Sequence, residues 1–382
     1  MGTGGGFGQI VIFPSPNVGL PNPAFTTVGP LPPGTFPHGV SYYGTDNALV
    51  ADANNSRVFV IQVSTATLLG TISTSPCYNG FGTIAVAPGS TFAFASGVSA
   101  NLCVISAPFG PGSVITPVAL PGTIAGFQAQ AIVFNAAGRA FVLHDAGISV
   151  LDPPYAAIAF TIPIAGAFGA IAITPDGNTL LATDANTGTV RIFSAPFSAA
   201  SSPANLVIAG ATGLNGILAT PDGTQALVVS FNTPNLRVIS APYGSSSTVD
   251  TIVLDPVYDH HEDIGISPDG QLAILAGGGG SNVHTAFVRA PFTAAGATVF
   301  DVTIQSGRGA GAVRFNPSGG GLPTPTPTGT VTATPTATTT TTPTVTLAPG
   351  APVNVPTLSS PTLALLAAAL AIAALLLISR RP

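Results

Sequence analysis

His38, Gln130, Asn215 and Glu262 each stand immediately before an apolar run, at equivalent points of a repeating chain. His and carboxylate side chains are the usual ligands of a catalytic Zn or similar ion, and a few polar groups converging in a funnel make a default binding site. His260, His261 and Asp263 flank Glu262 and make this the densest ionisable cluster in the chain. Side chains alternate along a strand, so at most His260 with Glu262, or His261 with Asp263, converge on one point. The candidate ligand-binding set is therefore His38, Gln130, Asn215 and Glu262. The candidate catalytic groups are His261, Glu262 and His38, and the candidate metal ligands are His260 and Glu262. A solvated loop is the competing reading of the 260–263 cluster.

What must position these residues is a repeat. The phrase Ala170-Ile171-Ala172-Ile173-Thr174-Pro175-Asp176-Gly177 returns as Gly216-Ile217-Leu218-Ala219-Thr220-Pro221-Asp222-Gly223 and as Ile264-Gly265-Ile266-Ser267-Pro268-Asp269-Gly270. Pro presets φ, Asp bonds the backbone ahead, and Gly takes the left-handed position, so each phrase is strand, tight turn, strand. A second landmark closes the third strand: Ser106-Ala107-Pro108-Phe109, Asp152-Pro153-Pro154-Tyr155, Ser194-Ala195-Pro196-Phe197, Ser240-Ala241-Pro242-Tyr243 and Arg289-Ala290-Pro291-Phe292. Pro has no N–H for the ladder, and the aromatic after it is expected to pack between units. Aligned on His38, Gly82, Gln130, Gly169, Asn215, Glu262 and Gly311, the units recur about every 45 residues. Several strands per unit at that period predict an all-β, seven-bladed β-propeller.

The chain enters this ring out of phase. Residues 9–13 read as a third strand, residues 24–28 as a fourth, and residues 311–317 as a first. The two ends should share one blade whose second strand is missing. Such a closure removes an exposed sheet edge. The missing strand and an export signal are expected upstream of Met1.

The Pro-Asp-Gly hairpins, with Leu181-Ala182-Thr183-Asp184-Ala185-Asn186-Thr187-Gly188-Thr189-Val190-Arg191-Ile192, resemble the YVTN-type propeller repeat and its lactonase-like relatives over residues 9–316. The resemblance is specific for fold and weak for function, because propellers host many chemistries. It implies, as one reading, a lactonase- or lyase-type enzyme. There His261, Glu262 and His38 would serve, with a divalent metal activating a water. Glu262 is the only Glu, Lys is absent, and no Arg stands at the aligned positions.

Charged residues make up 6% of the 382 residues and the net charge is −5, which excludes a basic nucleic-acid surface. Asp52-Ala53-Asn54-Asn55 and Asp184-Ala185-Asn186 lack the full ligand series of a calcium loop and read as hairpin Asx turns. His144-Asp145 occupies the same loop of the third unit. No Ser-His-Asp elbow, phosphate loop, dinucleotide fingerprint or Cys/His zinc spacing is present. Cys77 and Cys103 lie toward one face of the second unit; a disulfide suits an oxidising compartment, and two separate thiols are the alternative.

From Leu322 the composition turns to Thr and Pro, which cannot build a core and reads as a disordered, extended stalk over 322–354. Residues 363–378 then carry no polar side chain before Arg380 and Arg381. This single hydrophobic helix is expected to anchor in a membrane, with the two Arg residues cytoplasmic and the propeller outside. Val355-Pro356-Thr357-Leu358-Ser359, the apolar run and the Arg pair resemble the IPTL-type bacterial sorting segment, with Val in place of the usual Ile. That resemblance implies a bacterial envelope protein and a sorting protease as a partner. The expected organisation is a propeller over 1–321, a linker over 322–354, and a sorting and anchor segment over 355–382. The expected role is binding or scaffolding at the cell surface, with an extracellular protein or glycan as ligand and no required cofactor.

Overall fold

The structure is a computed structural model and describes residues 9–13, 25–75, 77, 82–97, 99–124, 130–164, 166, 168–256, 261–277, 284–303 and 312–316. Its described residues are all β. Six four-stranded antiparallel meanders follow one another along the chain. Blade 1 comprises Pro37–Tyr43, Asn47–Asp52, Arg57–Gln62 and Thr67–Ser73. Blade 2 comprises Thr83–Val86, Phe92–Ser96, Asn101–Ser106 and Ile115–Ala119. Blade 3 comprises Ile132–Phe134, Ala140–His144, Gly147–Leu151 and Phe160–Pro163. Blade 4 comprises Phe168–Ile173, Thr179–Asp184, Thr189–Ser194 and Ala204–Val207. Blade 5 comprises Leu214–Ala219, Gln225–Ser230, Asn235–Ser240 and Val249–Val253. Blade 6 comprises His261–Ile266, Leu272–Gly277, His284–Arg289 and Thr298–Thr303.

The core lies between the blades. One cluster joins Leu49, Val58 and Ile72 of blade 1 to Ile84, Ala93 and Ile105 of blade 2. The next joins Phe94 and Val104 to Val142 and Leu151, and the pattern continues to Leu227 and Val238 of blade 5 against Ala273 and Leu275 of blade 6. Each second strand is therefore buried on both faces, which is why these strands are continuously apolar and do not alternate. In blades 2, 3 and 4 the aromatic after the third strand packs backward onto the preceding blade. Phe109 meets Tyr43 edge-on at 4.9 Å, Tyr155 meets Phe94 at 4.8 Å, and Phe197 meets Phe141 at 5.2 Å.

The Pro-Asp-Gly turns carry one residue the sequence reading passed over, the hydroxyl just before Pro. Thr174 Oγ1 donates to Asp176 Oδ1 and accepts from the Thr179 amide at 3.0 Å. Ser267 repeats the arrangement with Asp269 and Leu272. The hydroxyl–carboxylate bond holds Asp176 and Asp269 below the usual carboxylate range, partly offset by burial. Gly177 sits at φ 73°, the left-handed region Gly adopts without a Cβ clash.

The expected count of seven blades is corrected to six four-stranded blades among the described residues. Between blades 6 and 1 lie a two-stranded sheet, Ile10–Ile12 antiparallel to Thr26–Val28, and the single extended segment 312–316. Ile10 and Ile12 pack on Val50, Phe59 and Ile61 of blade 1. Phe13, Val313 and Phe315 pack on Leu272, Ile274 and Phe287 of blade 6. The physical reason for the shortfall is pairing: among the described residues nothing hydrogen-bonds 312–316 to Ile10–Ile12, so no four-stranded sheet forms there.

Cys77 and Cys103 are joined as a disulfide, with Cα atoms 5.7 Å apart. It ties the segment leaving blade 1 to the third strand of blade 2. Thiol titration of the folded, non-reduced protein should find neither Cys reactive, and reduction should lower stability by about 2–4 kcal/mol. Two reactive thiols before reduction would contradict the bond.

Met1–Thr326 and Pro327–Pro382 form two separate units. The Thr/Pro-rich linker, the Val355–Ser359 motif, the apolar run and Arg380 and Arg381 lie outside the described residues. Among the described residues no helix is long and apolar enough to cross a membrane.

Candidate functional site at the ring axis

The first strands begin at the axis, and their starts are irregular in a repeated way. Blade 1 pairs Pro37 with Asp52 and then Val40 with Val50, so His38 and Gly39 oppose Ala51 alone. Blades 4 and 5 do the same between Phe168 and Ile171 and between Leu214 and Ile217. Blade 6 has the extra residue at Glu262, between His261 and Asp263. Each is a β-bulge, which breaks the alternation and re-aims a side chain. The two-by-two alternation expected for residues 260–263 is corrected on this ground.

Small residues bring these starts together. A Cβ on Gly169 would stand 2.4 Å from the Leu214 carbonyl oxygen, and one on Gly39 2.9 Å from that of Gly82. Only Gly tolerates such a backbone approach. Thr183 seals one bulge: its hydroxyl accepts from the Ala170 amide at 2.8 Å and donates to the Asn215 carbonyl at 3.1 Å. Nothing in the motif marked Thr183, whose importance depends on the bulge.

Gln130 reaches across the axis. Its Nε2 donates to the Ile264 carbonyl of blade 6 at 3.1 Å, and its Oε1 accepts from the Ile217 amide of blade 5 at 3.1 Å. Its own carbonyl accepts from the Ile171 amide of blade 4 at 2.9 Å. One buried residue preceding blade 3 thus bonds three other blades.

His38 and Glu262, far apart in sequence, come together across the incomplete position. His38 Nε2 lies 3.4 Å from Glu262 Oε2, and both residues are buried. His38 Nδ1 lies 3.2 Å from the Gly82 carbonyl, which can only accept, so Nδ1 carries a proton. The pair links blade 1 to blade 6 and brings two of the candidate catalytic groups together.

Asp263 turns the other way. Its Oδ2 accepts from the Val313 amide at 2.9 Å and from Arg314 Nη1 at 2.5 Å. Burial pushes the Asp263 carboxyl upward, and Arg314 and the amide pull it back. His261 is buried beside it at the start of the same strand. Asn215 is buried at the mouth of blade 5, and His260 lies outside the described residues. Among the described residues no three His, Cys, Asp or Glu side chains are grouped to hold a metal ion.

The hairpin loops behave as Asx turns. Asp52 Oδ1 accepts from the Asn54 amide and Asp184 Oδ1 from the Asn186 amide, both at 3.1 Å. Arg57 and Arg191 supply the positive charge, at 2.6 and 2.8 Å. In blade 3 the equivalent residue is His144. Its Nδ1 accepts from the Ala146 amide at 3.2 Å, so its Nε2 carries the proton and donates to Ser149 Oγ at 2.8 Å.

Burial pushes the His144 imidazole down to about 4, against a smaller upward pull from Asp145. Between about 6.5 and about 4 the unfolded chain therefore binds a proton that the folded chain refuses. Stability falls across that window as pH falls, by on the order of 3 kcal/mol. Urea midpoints at pH 7 and pH 4.5 should differ less in His144→Asn than in the wild type. An unchanged difference would place the pH dependence elsewhere.

No protein-family model matches this chain, and no curated protein matches it. Solved structures do. Hydrazine synthase of Kuenenia stuttgartiensis aligns at a TM-score of 0.60 and 15% identity, covering 74% of this chain and 90% of its own. A functionally unknown protein from Desulfotomaculum acetoxidans DSM 771 aligns at 0.56 and 16%, covering 68% and 80%. A protein assigned as a 6-phosphogluconolactonase from Bacteroides uniformis ATCC 8492 aligns at 0.51 and 16%, covering 69% and 80%. At these identities the similarity is one of fold, the β-propeller.

Proposed function

We propose that this chain is an exported β-propeller held at the bacterial cell surface, where it acts as a binding or scaffolding module. In this reading the ring has seven positions, the seventh shared by the two ends of the propeller. The Thr/Pro-rich stretch is a stalk, residues 363–378 are the membrane anchor, and Val355–Ser359 is the motif read by a sorting protease. The extracellular ligand is a protein or a glycan.

The observation that carries the reading is how the axial polar groups are used. Gln130 is bonded to blades 5 and 6, and Asp263 to Arg314. Groups committed to backbone and to each other make a rigid platform and leave few to act on a substrate. With an export leader added ahead of Met1, the full chain should stay with the membrane fraction. A chain ending at Gly350 should be released. Equal release of both would overturn the anchor, and a screen of glycans, peptides and envelope proteins without a partner would overturn the binding role.

A second reading, a lactonase- or lyase-like enzyme, rests on the His38–Glu262 contact. It predicts lactone hydrolysis that Glu262→Gln abolishes, and a divalent metal that His261→Ala/Glu262→Ala removes. Full activity in Glu262→Gln would end it.

A further inference from the structure

In blades 1 and 4 the second strand ends in an Asp whose two oxygens do two different jobs. Asp52 Oδ1 accepts from the Asn54 amide at 3.1 Å, and its Oδ2 from Arg57 Nε at 2.6 Å. Asp184 Oδ1 accepts from the Asn186 amide at 3.1 Å, and its Oδ2 from Arg191 Nη2 at 2.8 Å. In blade 5 the same ladder position belongs to Ser230. Leu214 pairs with Ser230 as Phe168 pairs with Asp184 and Pro37 with Asp52. Ser has a single side-chain oxygen, and it keeps the turn. It accepts from the Asn232 amide at 3.2 Å and donates to the Thr212 carbonyl. It offers no charge and no second oxygen to an arginine.

The arginine is nevertheless there. Arg237 opposes Val228, two residues before Ser230, as Arg191 opposes Ala182, two residues before Asp184. Arg237 is partly buried, its Nε is enclosed without an acceptor, and its Nη1 donates to the Thr251 hydroxyl at 2.6 Å. Arg57, Arg139, Arg191 and Arg314 each meet a carboxylate, whereas among the described residues none lies within 4 Å of Arg237. Blades 4 and 5, over residues 168–256, are described without a gap. Burial pulls the Arg237 guanidinium below the usual arginine range, and no negative group opposes it. A partly desolvated cation without an anion is costly. Its surroundings are also distinctive. Arg237 shares a strand face with Ile239, which packs on Val190 and Leu206, so it stands on the blade 4 side of blade 5. Thr251 and Val253 pair with Arg237 and Asn235 on that face, and Val253 is 76% exposed.

We propose that Arg237 binds the carboxylate of a ligand whose apolar group rests on Val253. The chemistry of the ligand follows from the blades that fill the place internally, since a carboxylate sits there in both blade 1 and blade 4. A guanidinium is a planar fork of donors that matches a carboxylate, and its charge-assisted bonds are the strong ones. Thr251 already holds Nη1, so Nη2, the atom that Arg191 gives to Asp184, is the atom that receives the ligand. The exposed Val253, two residues beyond Thr251 on the same face, adds an apolar contact beside the charge. The ligand class is a carboxylate with an apolar group attached. A free acid and the C-terminus of a chain ending in an apolar residue share this chemistry. The site lies on the flank of the ring, and the inference is independent of the cell-surface reading and of the axial His38–Glu262 pair.

The test titrates the full chain with N-acetyl-leucine and follows the Arg237 side-chain N–H resonances by NMR. A saturable shift is expected in the wild type, a readout that needs no variant. N-acetyl-leucine amide, which lacks the charge, should bind about tenfold more weakly. Ser230→Asp supplies the missing carboxylate from within, so it should weaken binding about tenfold while leaving the chain folded. Arg237→Gln should do the same by removing the cation. Acetate should bind more weakly than N-acetyl-leucine, and Val253→Ser should remove that difference. A peptide with a free C-terminal Leu separates the two sources. Tighter binding than N-acetyl-leucine would assign the site to a chain end, and equal or weaker binding to a free acid. Absence of a saturable shift in the folded wild type would overturn the proposal. So would equal binding of the acid and its amide, or undiminished binding in Ser230→Asp.

Discussion

Arg314→Ala is expected to destabilise the ring by about 3–5 kcal/mol at pH 7, the usual cost of stripping the partner from a buried charge. Asp263 is fully buried, whereas the Arg314 side chain is 24% exposed. The two single substitutions are therefore unequal. When Asp263 is removed, Arg314 can turn to water. When Arg314 is removed, Asp263 cannot, and only backbone amides, those of Val313 and Ile264, still bond it. Arg314→Ala should be the more damaging of the two, and Asp263→Asn/Arg314→Ala should recover part of the loss. The pH dependence has a definite sign. Burial already pushes the Asp263 carboxyl up, and without Arg314 the opposing pull weakens. A folded pKa above the unfolded value means that the folded chain binds more protons, so stability falls as pH rises through the folded value. The deficit of Arg314→Ala relative to wild type should thus shrink between pH 7 and pH 5. A deficit that grew in acid, in urea unfolding followed at both pH values, would show that Asp263 is not the orphaned group.

Gln130→Leu should cost about 2–4 kcal/mol, because it leaves the buried Ile217 amide without an acceptor and the Ile264 carbonyl without its closer donor. The carbonyl keeps a longer contact from Arg314 at 3.4 Å, so most of the loss falls on the amide. Gln130→Glu separates the two bonds. It retains an oxygen for Ile217 and sets a second oxygen against the Ile264 carbonyl. Ionised, it repels that carbonyl; protonated, it can donate to it. Gln130→Glu should therefore approach wild-type stability as pH falls toward 4 and lose it as pH rises, whereas Gln130→Leu should show no such recovery. Equal pH profiles for the two variants would mean that the side chain does not bridge the axis.

Much of the architecture was legible in the chain. The Pro-Asp-Gly turns fold each first and second strand into a hairpin through local bonds, and Gly177 at φ 73° is the position such a turn needs. The third-strand endings were legible for the same reason, and Phe109, Tyr155 and Phe197 pack between blades as expected. The number of complete blades was not legible. Counting first strands gives seven starts, but a blade requires a ladder, and among the described residues 312–316 has no second strand to pair with.

The site was half legible. Aligning the repeats placed His38, Gln130, Asn215 and Glu262 at the axis, because a repeat puts equivalent residues at equivalent radii. What each does there was out of reach of local pattern. His38 meets Glu262 only because blades 1 and 6 flank one incomplete position, and Gln130 meets Ile264 only across the ring. The bulges at Gly39, Gly169, Gly216 and Glu262 depend on how closely one blade approaches the next. By itself, then, the sequence determined the hairpins, the period and the apolar faces, which rest on bonds between near neighbours in the chain. Only the tertiary structure decided which polar groups pair across the axis, since those pairs depend on contacts between residues far apart in the chain that meet when the blades come together.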